Sequence, residues 1–288
     1  MVKVLKSGLY STIQDLGRYS YQEYGVPYSG AMDAYAASLA NMLLGNDKNA
    51  AVMEITMMGP TLEFNCDTGI CISGANLSPK LNEKPITLNQ PTSVKRGDKL
   101  SFGKLIFGFR SYIAVSGGFK TEKVMNSYSM YQGITEQSTV LKNSDLLIDA
   151  SSKSFDTKHA GVKISDSHFS TKHIEVFKGP EFDKLSKAQQ DLLFSQHFTI
   201  AKENNRMAYQ LVEPLENSLE PIITSSVLPG TIQLTPSGKL IVLMRDCQTT
   251  GGYPRILQLK ESSINILAQK FTGNSIQFSI PAFRLSSR

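Results

Sequence analysis

The sequence predicts a mainly β protein with a few helices, arranged as two β-rich lobes that meet at a cleft. Short apolar or alternating runs recur along the chain, as in Leu62-Glu63-Phe64, Gly69-Ile70-Cys71-Ile72, Lys104-Leu105-Ile106-Phe107 and Tyr112-Ile113-Ala114-Val115. They are closed by Gly, Pro, Asn and Asp, and closely spaced strands of this kind suit a barrel or sandwich. The second observation is that helical periodicity is confined to three short segments. The third is a change of composition between Ala150 and Ser170, where serine, lysine and aspartate replace any regular apolar spacing. With 288 residues, and about 150 residues as the ordinary domain size, the chain divides into a lobe at 1–155, a polar linker at 156–170 and a lobe at 171–288.

Taken in order, Met1-Val2-Lys3-Val4-Leu5-Lys6 alternates like a strand. A helix is predicted over 31–44, because Met32, Tyr35, Ala36, Leu39, Ala40 and Leu43 recur at three- and four-residue steps and Gly45 follows as a stop. A second helix is announced by Ser186-Lys187-Ala188-Gln189, where the serine and glutamine can each satisfy an unpaired amide at a helix start. A third covers Ser262 to Lys270, before Gly273. No repeat of fixed period runs through the chain.

Several functions are excluded at this level. Lys+Arg 30 against Asp+Glu 25 gives a net charge of +5, and the basic residues are dispersed, so no phosphate track for nucleic acid is read. No uncharged apolar run approaches the roughly 20 residues of a membrane helix. The N-terminus lacks the features of a signal peptide, and the cytoplasm is the expected location. Cys66, Cys71 and Cys247 are read as structural thiols. His159, His168, His173 and His197 lie in no ligand spacing, so no metal site is expected. Gly238-Lys239 is followed by Leu240, so ATP is not bound by a P-loop in this chain.

Three polar segments studded with glycine carry the residues suited to chemistry. The first runs from Ser11 to Arg18 and resumes from Gly25 to Asp33. Asp15 and Arg18 either brace a turn or contribute charge to a site. Ser29 and Gly30 either cap the following helix or present its amides to a carboxylate or phosphate, and Asp33 is placed to orient a cation or accept a proton. The second segment is Asn204-Asn205-Arg206-Met207. Asn205 and Arg206 offer an amide donor and a planar fork to an anion, or form a solvated turn. The third is Arg245-Asp246-Cys247-Gln248-Thr249-Thr250-Gly251-Gly252-Tyr253-Pro254. It follows an apolar strand, and its Asp246, Gln248, Thr249, Thr250 and Tyr253 resemble either a pocket wall approached over glycine or a β-turn. Each segment alone offers too few groups for a small polar ligand, so the three are expected to share one cleft.

These segments, with Ala40-Asn41-Met42-Leu43-Leu44-Gly45-Asn46, Gly74-Ala75-Asn76-Leu77, the run from Gly108 to Gly118, and Pro229-Gly230-Thr231-Ile232-Gln233-Leu234, resemble the biotin-dependent carboxyltransferase-like family over nearly the whole chain. That family includes allophanate hydrolase subunit 2, the KipA antagonist and the C component of 5-oxoprolinase. The resemblance implies two cyclophilin-like β-barrel lobes. It also implies partners, a Kip-inhibitor-like B component and a LamB/YcsF-like A component. Its implied reaction is the ATP-dependent opening of 5-oxoproline to glutamate, with ATP activating an unreactive lactam, and biotin enters only for a carboxyltransferase relative. From the chemistry of the three segments Asp15, Arg18, Asp33, Arg206 and Asp246 are the catalytic candidates, and Ser29, Gly30, Asn205, Gln248, Thr249, Thr250 and Tyr253 the binding candidates; the resemblance does not divide the roles among them. Tyr128, the pair Ser138-Thr139 and Ser225 depart from the family pattern, with the loss of two arginines and a carboxylate, which leaves a non-catalytic KipA-like antagonist as the alternative.

Overall fold

The computed structural model describes residues 1–149 and 165–281; residues 156–164 of the expected linker, and His159, lie outside them. Contacts divide the chain into one unit of Met1–Tyr21 with Tyr28–Phe169 and a second of Gln22–Pro27 with Ser170–Arg288. The fold is mainly β, as the sequence predicts, and holds four α-helices among the described residues against the three expected.

In the first unit the strands are β1 (Val2–Lys6), β2 (Tyr10–Gln14), β3 (Val52–Thr56), β4 (Thr61–Phe64), β5 (Thr68–Asn76), β6 (Lys80–Leu81), β7 (Lys84–Pro85), β8 (Thr92–Val94), β9 (Lys99–Ser101), β10 (Phe107–Val115) and β11 (Asp145–Leu146). They form a six-stranded sheet, β11-β1-β4-β9-β6-β7, and a five-stranded sheet, β2-β3-β10-β5-β8. Alternation along the strands decides what lies on each face. Ile70 and Ile72 of β5, with Ile113 and Val115 of β10, join Val4, Leu62 and Leu100 of the other sheet in one buried core. The intervening Cys71, Tyr112 and Ala114 face α1 (Ala34–Leu44), whose Ala36, Ala37, Ala40 and Leu44 are buried against them. Strands covered on both sides read as continuous apolar runs, which is how β5 and β10 read.

Two boundaries differ from expectation. The helix begins at Ala34 rather than near 31, because the Asp33 carboxylate accepts the Ala36 N–H at 3.0 Å and so caps the first turn. It ends at Gly45, in the left-handed conformation, as predicted. Lys104 to Ile106 precede β10 rather than forming a strand. Their backbone is committed elsewhere, the Lys104 carbonyl accepting from Ser78 Oγ and the Ile106 N–H donating to the Asn76 carbonyl.

The second unit is a closed barrel. Its strands are β12 (His173–Lys178), β13 (Phe198–Asn204), β14 (Ala208–Leu211), β16 (Thr231–Leu234), β17 (Leu240–Leu243), β19 (Arg255–Leu259) and β20 (Ser275–Ser279), in the order β12-β19-β16-β17-β14-β13-β20. Every pairing is antiparallel except β12 with β20, which closes the barrel in parallel. A separate two-stranded ladder joins β15 (Ser225–Ser226) to β18 (Thr250–Gly251). Helix α2 (Ser167–Ser170) precedes β12. The expected capping box is formed at Ser186, opening α3 (Lys187–Ser195), and α4 (Glu261–Leu267) lies where the sequence predicts the third helix. No helix among the described residues is long and apolar enough to cross a membrane.

Candidate functional site

The barrel carries a polar cavity on its outer face. Pairing sets Gln210 opposite Ile241 and Ile241 opposite Gln233, so these three side chains share one side of the wall. Tyr209, Val242 and Ile232 turn to the other side and are fully buried. An outward glutamine in a barrel strand would ordinarily meet water. Here the segment after β17 folds back over it, anchored by Cys247, which packs with Val227 and Leu243 and beside Ala208 and Ile241. Burial pushes the Cys247 thiol up to about 12, so it serves as an apolar anchor and stays protonated at neutral pH.

The cavity between that segment and the barrel wall measures about 530 Å³. Five carboxamides line it, from Asn204, Asn205, Gln210, Gln233 and Gln248, together with the half-exposed Tyr253. Met207, Ile241 and Leu243 supply apolar surface, and Lys202 and Glu203 one charge of each sign. Gln233 is only 2% exposed, and its Nε2 has no acceptor among the described residues. Its Oε1 receives Gln248 Nε2 at 3.5 Å, the outer limit of a hydrogen bond. Gly251 packs against it, and a Cβ there would lie 2.5 Å from Gln233 Nε2 and push that side chain aside.

The second and third sequence segments are stapled together at this cavity. Arg206 donates from Nε to Asp246 Oδ2 at 2.8 Å and from Nη2 to Oδ1 at 3.0 Å, while the Asp246 N–H returns a bond to the Arg206 carbonyl. Both residues are buried, so the planar fork expected to meet an external anion meets an internal carboxylate. Asn205 Oδ1 accepts the N–H groups of Met207 and Ala208, fixing the turn before β14. Thr250 and Gly251 pair with Ser226 and Ser225, and the Thr249 carbonyl accepts from Val227. Ser225, one of the departures from the family pattern, therefore lies on the ladder next to Gly251.

Apart from residues 25–27, which fall in the second unit, the first segment belongs to the first unit, where it forms a different network. Asp15 Oδ1 accepts from Gly17 N–H and the Ser127 and Ser129 hydroxyls at 2.7–2.8 Å, and Oδ2 from Tyr128 N–H. Arg18, 1% exposed, donates to the carbonyls of Val124 and Ser129. Tyr128, another departure, thus keeps a backbone role, and its ring lies under the ammonium groups of Lys120 and Lys123. The expected anion site at Ser29 and Gly30 is overturned. The N–H groups of Gly30, Ala31, Met32 and Asp33 go to Gln14 Oε1, the Asp15 carbonyl, Glu54 Oε2 and Tyr112 Oη. Gly30 instead packs its backbone on Gly17, where a Cβ on residue 30 would meet the Gly17 nitrogen at 2.8 Å.

Asp33 is fully buried and its second oxygen lies 2.7 Å from His168 Nε2. Tyr112 joins this cluster by donating to Glu54 Oε2 at 2.9 Å, and burial together with Glu54 and Asp33 drives its phenol well above the usual value. Sequence reasoning does not find Gln210, Gln233, Glu54, Tyr112 or His168. Glu54 carried a signal, a carboxylate inside the apolar run Val52-Met53-Glu54-Ile55. Among the described residues no group of three His, Cys, Asp or Glu side chains is placed to hold a metal.

The carboxyltransferase domain family, subdomain A and B, matches residues 24–280. The chain is 34% identical to the 5-oxoprolinase C component of Escherichia coli K12, over 96% of this chain and 90% of that protein. It is 30% identical to the 5-oxoprolinase C component of Haemophilus influenzae over the same shares. Urea amidolyase of Saccharomyces cerevisiae is 30% identical over the whole chain, which spans 17% of that protein. Among solved structures, TTHA0988 superposes with a TM-score of 0.87 at 25% identity, covering 96% of this chain and 55% of its own. The Kluyveromyces lactis urea carboxylase gives 0.85 at 27% identity, and this chain spans 27% of it.

Proposed function

Since this chain belongs to the carboxyltransferase domain family, subdomain A and B, we propose that it is the C component of an ATP-dependent 5-oxoprolinase, acting in complex with a Kip-inhibitor-like B component and a LamB/YcsF-like A component. The observation that carries this reading is the cavity walled by Asn205, Gln210, Gln233 and Gln248. A lactam is a neutral planar amide with one acceptor and one donor edge. A carboxamide offers the complementary pair, so a wall of carboxamides suits it without any buried charge. Gln248 and Asn205 grip the amide in this reading, Thr249 and Thr250 shape the covering segment, and Tyr253 stacks on the ring. Arg206 and Asp246 are positioning residues that hold the two cavity segments together. Asp15, Arg18 and Asp33 act as braces of the first unit.

The residues around this cavity do not fit a nucleotide. A triphosphate needs several converging cations or a loop of free amides, whereas Lys202 is offset by Glu203 and Arg206 is committed to Asp246. ATP is therefore assigned to the assembled complex. Purified with its two partner proteins, the chain should support ATP-dependent release of glutamate from 5-oxoproline, unaffected by avidin. Inhibition by avidin would point to a biotin-linked carboxyltransferase. Stable binding to the Kip-inhibitor-like partner without turnover would favour the regulatory, KipA-like reading, and no turnover by a folded, complete assembly rejects the oxoprolinase assignment.

A further inference from the structure

We infer that Gln233 is the specificity-determining donor of the cavity: its side-chain N–H binds the carbonyl oxygen of an amide ligand that displaces Gln248 from over it. The identity of the amide as a lactam rests on the function proposed above; the carbonyl subsite itself rests on the geometry. A carboxamide nitrogen buried without an acceptor carries a desolvation cost that native structures rarely leave standing. Gln233 Nε2 is in that state, on a residue 2% exposed that lines a cavity of about 530 Å³. The surroundings preserve it. Gly251 contributes no Cβ, and any larger residue would meet Nε2 at 2.5 Å.

Gln248 completes the arrangement. Its Nε2 reaches Gln233 Oε1 at only 3.5 Å and the residue is partly exposed, so an entering amide exchanges a weak contact for two good ones. The ligand oxygen accepts from Gln233, while its N–H is left facing the Gln248 carbonyl oxygen. Discrimination follows from the orphan donor. A ring of the same size without the carbonyl leaves the buried N–H unpaired, and sites built this way reject such analogues far more strongly than apolar pockets reject a missing methylene.

The test is titration of the full-length chain with 2-pyrrolidinone, 5-oxoproline and proline, followed through the side-chain NH₂ resonances of Gln233 and by calorimetry. Both carbonyl compounds should shift those resonances, and proline should bind at least about 100-fold more weakly. Gln233→Leu should weaken 2-pyrrolidinone at least about tenfold while its melting temperature is unchanged or raised, because an unsatisfied donor has been removed. Gln233→Glu, of the same size but without the donor, should lose binding as well, and Gly251→Ala should do so by displacing Gln233. No binding of either carbonyl compound, equal binding of proline, or wild-type affinity in Gln233→Leu overturns the inference. Turnover in the complex that is indifferent to Gln233→Leu rejects this subsite alone. A complex without turnover, in a chain that still binds 2-pyrrolidinone through Gln233, rejects the oxoprolinase reading alone.

Discussion

Arg206 is gripped by both oxygens of Asp246, and both side chains are withdrawn from water. Removing one partner of such a pair strands the other, and the cost is set by the abandoned charge. Arg206→Ala should therefore destabilise the chain by about 3–5 kcal/mol, read as a shifted urea midpoint. Arg206→Lys should recover only part of this, since one ammonium cannot engage two carboxylate oxygens in a plane. Lost activity with an unchanged midpoint would instead mean that the fork serves a ligand. The polar, glycine-studded character of Asn205-Arg206 and of Gln248 to Tyr253 was legible in the sequence. That Arg206 would find Asp246, forty residues on, was not, because it depends on how β14 and β17 pair. Gln233 was hidden for a related reason: alternation alone sends it to water, and only the Cys247 anchor brings the covering segment over it.

Helix α1 shows how an element's periodicity can be read correctly and its start misplaced. Met32 and Tyr35 fit the helical spacing, but Asp33 ends the irregular segment by capping Ala36, and the four amides before it are spent on Gln14, Asp15, Glu54 and Tyr112. Sequence could not assign those acceptors, three of which come from neighbouring strands. Asp33→Ala should cost about 0.5–2 kcal/mol for the cap, plus the contact with His168, whereas Asp33→Ser should retain most of the cap term; thermal unfolding separates them. Tyr112→Phe tests the same junction from the sheet. It takes the Tyr112 acceptor from the Asp33 N–H and one of the two donors from Glu54 Oε2, which keeps the Met32 N–H, so a loss of about 1–3 kcal/mol is expected. A neutral result would show that water reaches the pocket vacated by the hydroxyl.

At the scale of the whole molecule, the mainly β class was legible because strand alternation and turn residues are local. A barrel was expected there from the resemblance, but the pairing that closes the second unit was not legible, since β12 must pair with β19 on one side and with β20, a hundred residues on, on the other. The chain leaving β12 is fastened to β19 by Glu181, whose carboxylate accepts from the Arg255 backbone at 2.8 Å, from Nε at 3.0 Å and from Nη2 at 2.9 Å. Those bonds hold the Glu181 carboxyl below its ordinary value, led by the Arg255 side chain. A carboxylate whose folded pKa lies below the unfolded one binds fewer protons in the folded state. Its contribution is therefore complete above the unfolded value, about 4.3, and is lost as pH falls through the folded value. Glu181→Gln, which removes the titrating group, should lower the urea midpoint at pH 7. The gap from the unmodified chain should then narrow as pH falls below the unfolded value of about 4.3, because the unfolded chain takes up a proton there that the folded carboxylate still refuses. A gap that stays constant from pH 7 to pH 3 would mean that the bridge contributes shape to the barrel seam rather than charge.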